Sequence, residues 1–256
     1  MKHNIYLVFT LLLSISLFSQ NIELNEDIEK RISEMDSLIL NEPNAGNYYI
    51  RGYLKYNKFL YKEALSDYDK AISLEEKSEY FFSRAMLKDK MEDYKGAIAD
   101  YSTCIKLSET PKKAFFNRAF SKSNLNDFSG ALDDYNKSLE IDPENKGAYL
   151  NIGIIKKEQG KFAESIKAFD KAIMLDSNFI DAIQNRAIAK SMLNDKDAII
   201  DFNRVIELNP KSGEAYLNRA LHYINHKTKG TSCADLKSAN SYGITRAREL
   251  ITKYCN

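Results

Sequence analysis

The sequence is poor in the residues that build most catalytic and metal sites, and in the residues that break helices. Its 256 residues include three histidines, three cysteines, ten glycines, four prolines and no tryptophan. So few glycines and prolines argue against Gly-rich phosphate loops, collagen-like chains and turn-dense β-structure. Three cysteines cannot form a disulfide scaffold. The net charge is +1, so no excess of one sign points to nucleic acid or an anionic membrane as the main partner.

One apolar run stands apart at the start of the chain. It extends from Ile5 to Phe18, after Lys2 and His3 and before Ser19. A short charged start, an apolar core of about 14 residues and a small residue at the end are typical of a secretory signal peptide. We therefore expect residues 1–19 to be removed and the protein to be periplasmic or secreted. The alternative is an uncleaved segment that anchors the protein in the membrane, although a spanning helix needs about 20 residues.

The rest of the chain repeats itself at a step of 33 or 34 residues. One column of large side chains keeps this step: Tyr68, Tyr101, Tyr135, Phe169, Phe202 and Leu236. A column of small residues keeps it too: Gly52, Ala85, Ala119, Gly153, Ala187 and Ala220. The four prolines fall at the boundaries between copies, where a helix must stop. Each copy has the apolar spacing of two helices around a turn. A single helix pair cannot bury its apolar face, so the copies must stack.

These columns resemble the tetratricopeptide repeat, which has a small residue at place 8, an aromatic at place 24 and a proline near place 32. Places are counted here from the first residue of each repeat. The resemblance implies an all-α, right-handed α-solenoid of six helix-turn-helix units, at residues 45–77, 78–111, 112–145, 146–179, 180–212 and 213–246. It assigns residues 20–44 to an N-terminal capping helix and residues 247–256 to a C-terminal one. With its apolar leader, the chain is similar to exported repeat proteins of Bacteroidetes.

Two charged columns lie on different helices of the repeat. Place 7 is Arg51, Arg84, Arg118, Arg186 and Arg219; place 23 is Asp67, Asp100, Asp134, Asp201 and Asp235. In the fourth copy both charges are lost together, because place 7 is Ile152 and place 23 is Ala168. An inward arginine needs a partner, because an unpaired buried charge is unfavourable. We therefore expect each arginine to pair with the aspartate of its own repeat. The alternative is two half-exposed charges on unrelated faces.

The resemblance places the binding groove on the concave face of the first helices. Place 6 is Asn117, Asn151, Asn185 and Asn218 in the last four copies, and evenly spaced amides suit the backbone of an extended peptide. Beside them, places 5 and 9 carry apolar residues, which in copies one to three are Tyr49, Tyr53, Phe82, Met86, Phe116 and Phe120. We expect this aromatic end to be the more exposed part. Two alternatives stay open, a consensus role for the asparagines and burial of the apolar residues as ordinary core.

The function that follows is a non-enzymatic scaffold or assembly factor of the cell envelope, binding a protein or peptide. We expect no cofactor, no metal, no nucleic acid and no small-molecule substrate. The alternatives are a membrane-anchored subunit of an envelope assembly complex and an enzyme-associated regulatory module. The Lys and Asn pattern with which cytosolic co-chaperones of the family clamp a C-terminal carboxylate is absent. Lys113 holds its place 2, but Asn117 stands where that clamp has arginine.

Two pairs of residues near the C-terminus could bind a metal or form a disulfide. His222 and His226 are four residues apart on one helix, a spacing that could bind a metal, but no third ligand is evident and we expect a solvated pair. Cys233 and Cys255 lie 10 residues before and 12 after Gly243, which marks a turn. An antiparallel helix hairpin brings them to the same level, and similar endings are common in exported repeat proteins. We expect a disulfide, with two free thiols as the alternative. Cys104 fills a small-residue column and is expected to be core.

Overall fold

The computed structural model describes residues 27–226 and 229–255, with only the backbone of residues 229 and 230. The predicted signal peptide, residues 1–19, and the first part of the predicted N-terminal cap, residues 20–26, lie outside this range. The described residues form fourteen α-helices and no β-strand. None of these helices has the length and apolar character needed to cross a membrane.

The helices form two compact units, one ending at Leu125 and one beginning at Asn126. Unit 1 contains α1 (27–41), α2 (Ala45–Asn57), α3 (Tyr61–Leu74), α4 (Ser78–Lys90), α5 (Tyr94–Leu107) and α6 (Lys112–Asn124). Unit 2 contains α7 (Phe128–Ile141), α8 (Lys146–Glu158), α9 (Phe162–Leu175), α10 (Ile180–Met192), α11 (Ala198–Leu208), α12 (Gly213–Asn225), α13 (Lys229–Ser241) and α14 (Thr245–Tyr254). The all-α architecture of helix-turn-helix repeats predicted from the sequence is therefore confirmed.

Packing within each unit follows the repeat. The two helices of a repeat contact each other, as α2 with α3 and α8 with α9, and each second helix contacts the first helix of the next repeat. First helices also contact one another, in the series α2, α4 and α6 of unit 1 and α8, α10 and α12 of unit 2. Each series presents one side that the second helices do not cover. We call these sides the first-helix face of unit 1 and the first-helix face of unit 2.

The place 24 column forms the centre of every repeat core. Tyr68 and Tyr101 of unit 1, and Phe169 and Phe202 of unit 2, are completely buried. Burying a side chain of this size stabilises the fold by roughly 2–3 kcal/mol. The small residues at place 8 explain how such large rings fit. A Cβ added at Gly153 would lie 2.3 Å from a ring carbon of Phe169, so only a residue without a side chain allows this approach.

Local signals determine where the helices begin and end. Asp93 and Asp127 cap the second helices α5 and α7 by accepting a hydrogen bond from the backbone N–H three residues later. The fifth repeat is one residue short, and its second helix α11 has 11 residues where α3, α5, α7 and α9 have 14. Because one residue is missing, α11 begins later, at Ala198. Phe202 is nevertheless buried like the equivalent residues of the other repeats.

The last two helices bring Cys233 and Cys255 close to each other. The Cα atoms of Cys233 in α13 and Cys255 after α14 are 5.6 Å apart, and their sulfurs are at bonding distance. That Cα separation is within the range of disulfides. The antiparallel hairpin deduced from the sequence thus brings the two side chains to one level with compatible rotations. Formation of the bond in the cell depends on the compartment and stays a prediction.

Candidate interaction face

The first-helix face of unit 1 is apolar and open to solvent. At place 9, Tyr53 is 52% exposed, Met86 37% and Phe120 46%. The place 5 side chains are half-buried, because Tyr49 packs on Tyr80 with ring centroids 4.8 Å apart, and Phe82 packs edge-on against Tyr101. The aromatic residues at place 5 thus form the base of the face, and the place 9 residues project from it.

Unit 2 differs at the corresponding places. Leu217 is buried, and Leu150, Ile154, Ile188 and Leu221 are half-buried. The aliphatic side chains of these repeats are therefore less exposed than the place 9 residues of unit 1. The greater exposure expected for the aromatic end of the chain is therefore observed at place 9, where solvent reaches large apolar groups.

A cleft of about 370 Å³ opens on the first-helix face of unit 1. Tyr49 and Phe82 form its apolar wall, and Cys104 of α5 contributes a buried thiol. The Tyr49 hydroxyl lies 3.2 Å from the Ser83 hydroxyl, which fixes the tyrosine ring along the wall. Burial raises the pKa of the Cys104 thiol, so this group is protonated at neutral pH and acts as packing, as expected from its column.

Charged residues also line the cleft. Lys112 and Lys113 lie at the start of α6, and Glu79 lies on α4. The N-cap residue of α6 is Pro111, whose side chain has no hydrogen-bonding atom. The helix therefore adds the partial positive charge of its N–H groups to that of the two lysines. The cleft combines aromatic side chains with charged side chains of both signs.

A second, smaller recess lies one helical turn further along α2 and α4. It measures about 50 Å³ and is lined by Tyr53, Tyr56, Tyr68, Ser83 and Met86. Ser83 lines both cavities. The cleft and the recess are therefore neighbours on one continuous surface.

Hydrogen bonds to the residue at place 12 of the second repeat connect it to the third repeat inside unit 1. Asp89 of α4 accepts hydrogen bonds from the Tyr101 hydroxyl at 2.8 Å and from the Ser121 hydroxyl of α6 at 2.6 Å. Burial raises the pKa of the Asp89 carboxyl, although both hydrogen bonds oppose the shift. The sequence analysis missed this role, although Asp89 and Ser121 occupy place 12 and place 10 of consecutive repeats, a relation that recurs in Ser191 and His222.

The four asparagines at place 6 are all half-buried, but they differ in their contacts. Asn185 accepts a hydrogen bond from the Lys157 ammonium at 2.6 Å and donates one to the Asp181 carbonyl at 2.8 Å. Its amide is thus already engaged in the described residues of unit 2, and burial lowers the pKa of Lys157. Asn151 and Asn218 lie on α8 and α12, on either side of α10, whereas Asn117 belongs to unit 1. Their use as a peptide ladder stays a prediction.

The predicted pairing of arginine with aspartate is confirmed in four repeats. The guanidinium Nε and Nη2 atoms donate to both carboxylate oxygens at 2.5–2.9 Å in the pairs Arg51–Asp67, Arg84–Asp100, Arg186–Asp201 and Arg219–Asp235. The four aspartates are buried, so these are bidentate pairs in a low-dielectric setting. Arg118 and Asp134 belong to different units, and their pairing stays a prediction.

Each of these arginines has a further partner that the sequence analysis missed. The Nη1 atom donates at 2.7 Å to a residue on the preceding helix pair or cap, namely Asp36, Asp69, Asp170 and Asn203 in turn. Arg118 reaches Ser102 in the same way. These acceptors lie two residues after place 23, or on α1, so their step of 33 or 34 residues was visible in the sequence. We call the whole set the Arg–Asp lattice, and its role is to join repeats.

The histidine pair is a correction to the sequence analysis, which expected both rings in solvent. His222 is buried at place 10, where the side chain faces the preceding repeat, and its Nδ1 lies 3.0 Å from the Ser191 hydroxyl. The His226 ring packs against it at an interplanar angle of 36°, with the ring centroids 4.2 Å apart. Burial, with a smaller effect of His226, lowers the pKa of His222. Within residues 27–226 and 229–255, no cluster of three metal-ligating side chains is found.

Comparison with known proteins agrees with this architecture. No curated protein matches the chain. A tetratricopeptide repeat protein from Parabacteroides merdae is 22% identical with a TM-score of 0.65, covering 91% of this chain and 94% of that one. The C-terminal part of a repeat protein from Cytophaga hutchinsonii is 19% identical with a TM-score of 0.72, covering 88% and 95%. YrrB, described as a repeat protein with an unusual peptide-binding site, is 18% identical with a TM-score of 0.61, covering 73% and 97%.

These identities show the fold, and the family follows from the sequence model of the repeat. The tetratricopeptide repeat model matches residues 45–78, 78–111, 113–145 and 147–179, a little more than half of the chain. The matches fall on the helix pairs from α2 to α9, and the pairs α10 with α11 and α12 with α13 continue the pattern. The chain belongs to the tetratricopeptide repeat family.

Proposed function

We propose that this protein is a non-enzymatic scaffold that binds a protein or peptide on the first-helix face of unit 1. The observation that carries the proposal is the exposed row Tyr53, Met86 and Phe120 at one place of three consecutive repeats. Large apolar side chains exposed side by side mark an interaction surface. Repeat proteins of this family generally serve as non-catalytic interaction scaffolds, and the peptide-binding site described for YrrB supports a peptide as the kind of partner.

Export is the second part of the proposal. A charged start, the apolar run from Ile5 to Phe18 and the small Ser19 support cleavage near residue 19 and a role in assembly in the cell envelope. A membrane-anchored subunit is the competing function, favoured by the same apolar run if it is retained. N-terminal sequencing of the protein from fractionated cells separates them. A mature chain starting near residue 20 supports export, and a chain that keeps residues 1–19 in the membrane fraction supports the anchor.

The test of the binding face is a crosslinking pull-down from the native envelope with paired variants. Tyr53→Ser combined with Met86→Ser removes two exposed apolar groups of the face. The matched control is Leu74→Ser combined with Leu107→Ser, which removes two side chains of similar exposure from the second helices α3 and α5. We expect the first variant to lose partners that the wild type and the control both retain. Equal capture by all three proteins would reject the first-helix face of unit 1 as the binding surface.

A further inference from the structure

His226, the residue that follows α12, has each ring nitrogen next to a backbone carbonyl oxygen. Nδ1 lies 2.9 Å from the carbonyl oxygen of His222, and Nε2 lies 3.4 Å from that of Asn194. A carbonyl oxygen only accepts hydrogen bonds, and a neutral imidazole has one N–H. Both contacts therefore become hydrogen bonds only when each nitrogen carries a proton, which makes the ring positively charged.

The longer of these two contacts joins two repeats. Asn194 is the left-handed residue in the internal turn of the fifth repeat, whereas His226 ends the first helix of the sixth. In the neutral ring, Nδ1 donates to the His222 carbonyl, so the lone pair of Nε2 faces the Asn194 oxygen and repels it. A proton on Nε2 replaces this repulsion with a charge-assisted hydrogen bond, which is shorter and stronger than a neutral one.

The neighbours of the ring favour a charge on His226 rather than on His222. Burial lowers the pKa of His222, and the charge of His226 lowers it further, whereas Asp195 in the turn opposes the shift. Tyr223, the other titratable neighbour on α12, contacts the His222 ring. His226 itself is half-buried and so within reach of solvent. A proton taken up by the pair therefore goes to His226.

The remaining charged groups on the packed elements do not compete for this proton. In the turn, Lys196 and Asp197 are exposed and opposite in charge. On α10, Lys190 is bound to the buried Asp201 at 3.0 Å. Histidine is the side chain that normally changes its charge between about pH 5 and 8, so the contact to Asn194 changes with pH in that range.

The preceding repeat contains the same turn without the histidine. His226 occupies place 14 of the sixth repeat, and Leu193 occupies this place in the fifth. A leucine side chain cannot donate to the carbonyl of the left-handed Gly160 in the turn before it. Both turns are closed by the same backbone hydrogen bond, from the N–H of place 16 to the carbonyl of place 11. The turn of the fourth repeat is therefore an internal control for that of the fifth.

We propose that His226 is a pH-dependent bridge, which on protonation joins the internal turn of the fifth repeat to the end of α12. The bridge is independent of the proposed function, since it lies in unit 2 and needs no partner. It acts in the opposite direction from His222. The folded protein gains a hydrogen bond when His226 takes up a proton, whereas a charge on the buried His222 ring is unfavourable.

The test measures hydrogen exchange of backbone amides in the full chain at about pH 5.5 and about pH 7.5. Protection factors, which correct for the intrinsic effect of pH on exchange, are compared for Asp195 and Ala198, whose amides hold the turn and the start of α11. We expect about tenfold higher protection at the lower pH, which corresponds to about 1.4 kcal/mol. Lys161 and Ser165, the equivalent amides of the fourth repeat, should not change.

Variants assign the effect to one ring. His226→Leu introduces the residue found at place 14 of the fifth repeat, and it should abolish the pH dependence at Asp195. His226→Phe keeps an aromatic ring against His222 without an N–H group, and it should do the same. His222→Leu keeps the backbone carbonyl that accepts from Nδ1, so the tenfold change should remain. Circular dichroism of each variant checks that the fold is kept.

Three results would overturn the bridge. The first is equal protection of the Asp195 amide at the two pH values. The second is a pH effect that persists in both His226 variants or disappears in His222→Leu, since the proton would then act elsewhere. The third is an equal change at Lys161 and Ser165, which would show that acid acts on the whole of unit 2 and not through His226.

Discussion

One residue in each of the five fully described internal turns adopts a left-handed backbone. In five repeats this is place 15, occupied by Phe59, Glu92, Asn126, Gly160 and Asn194, with φ between 58° and 73°. Glycine adopts this conformation freely, whereas a side chain there costs about 1–2 kcal/mol. Phe59 is the most unfavourable occupant, because a bulky aromatic side chain in this turn is 77% exposed and gains little from burial.

We therefore expect Phe59→Gly to stabilise the protein. The relief of backbone strain exceeds the added entropy of glycine in the unfolded chain, so the free energy of unfolding should rise by about 0.5–1 kcal/mol. Denaturant unfolding measures it. Gly160→Ala is the reciprocal variant, and it should lower stability by about 1 kcal/mol at the equivalent turn. A loss of stability in Phe59→Gly would show that the contact of its ring with Tyr61 outweighs the strain.

His222 makes stability depend on pH in a defined direction. Its pKa is lowered in the folded state, so below about pH 6.5 the unfolded chain takes up a proton that the folded protein does not. The free energy of unfolding should therefore fall as the pH is lowered through 6.5, until the folded ring is also protonated. His222→Leu introduces leucine, the residue that occupies the same place in the first two repeats as Leu54 and Leu87. This variant should lose the fall in stability at low pH. An unchanged pH profile in the variant would show that His222 is not the cause of the fall in stability.

At the scale of the helices, the Arg–Asp lattice adds hydrogen bonds between neighbouring repeats to the apolar packing. In the second repeat, Arg84 binds Asp100 with two hydrogen bonds and Asp69 of the preceding repeat with a third, while Lys88 also reaches Asp100 at 2.8 Å. The fourth repeat has Ile152 and Ala168 instead, and its Lys156 pairs with Glu164. The chain therefore contains its own neutral version of the pair.

A double-mutant cycle that copies this neutral version tests the pair. Arg84→Ile leaves the buried Asp100 with only Lys88, and we expect it to lower the free energy of unfolding by about 3 kcal/mol. Arg84→Ile with Asp100→Ala should be less damaging, with a coupling of at least about 1 kcal/mol. Arg204→Ile, at an exposed ion pair with Glu207, is the control and should change stability by less than about 0.5 kcal/mol. Additive effects of the two substitutions would show that the charges act separately.

For the whole molecule, the sequence predicted what repeats and could not predict what depends on helix rotation. The 33- or 34-residue step identified the buried rings, the small residues beneath them and the Arg–Asp pairs, because each contact recurs within one period. The hydrogen bond from Lys157 to Asn185 and the burial of His222 depend on the rotation of each helix about its own axis. The cleft depends on the geometry of the loop between α5 and α6, which no repeated column of the sequence predicts.

The last prediction concerns α13 and α14, because helices at the end of the described stack have few neighbours and are prone to fray. A bond between Cys233 and Cys255 would close a loop of about 23 residues and stabilise the end by roughly 3 kcal/mol. In protein isolated without reductant and then unfolded, we expect alkylation of one thiol, that of Cys104, and of three after reduction. Reduction, or Cys233→Ser with Cys255→Ser, should speed amide exchange in α13 and α14 and leave unit 1 unchanged. Three reactive thiols in the unreduced, unfolded protein would mean that the two cysteines lie side by side without a bond.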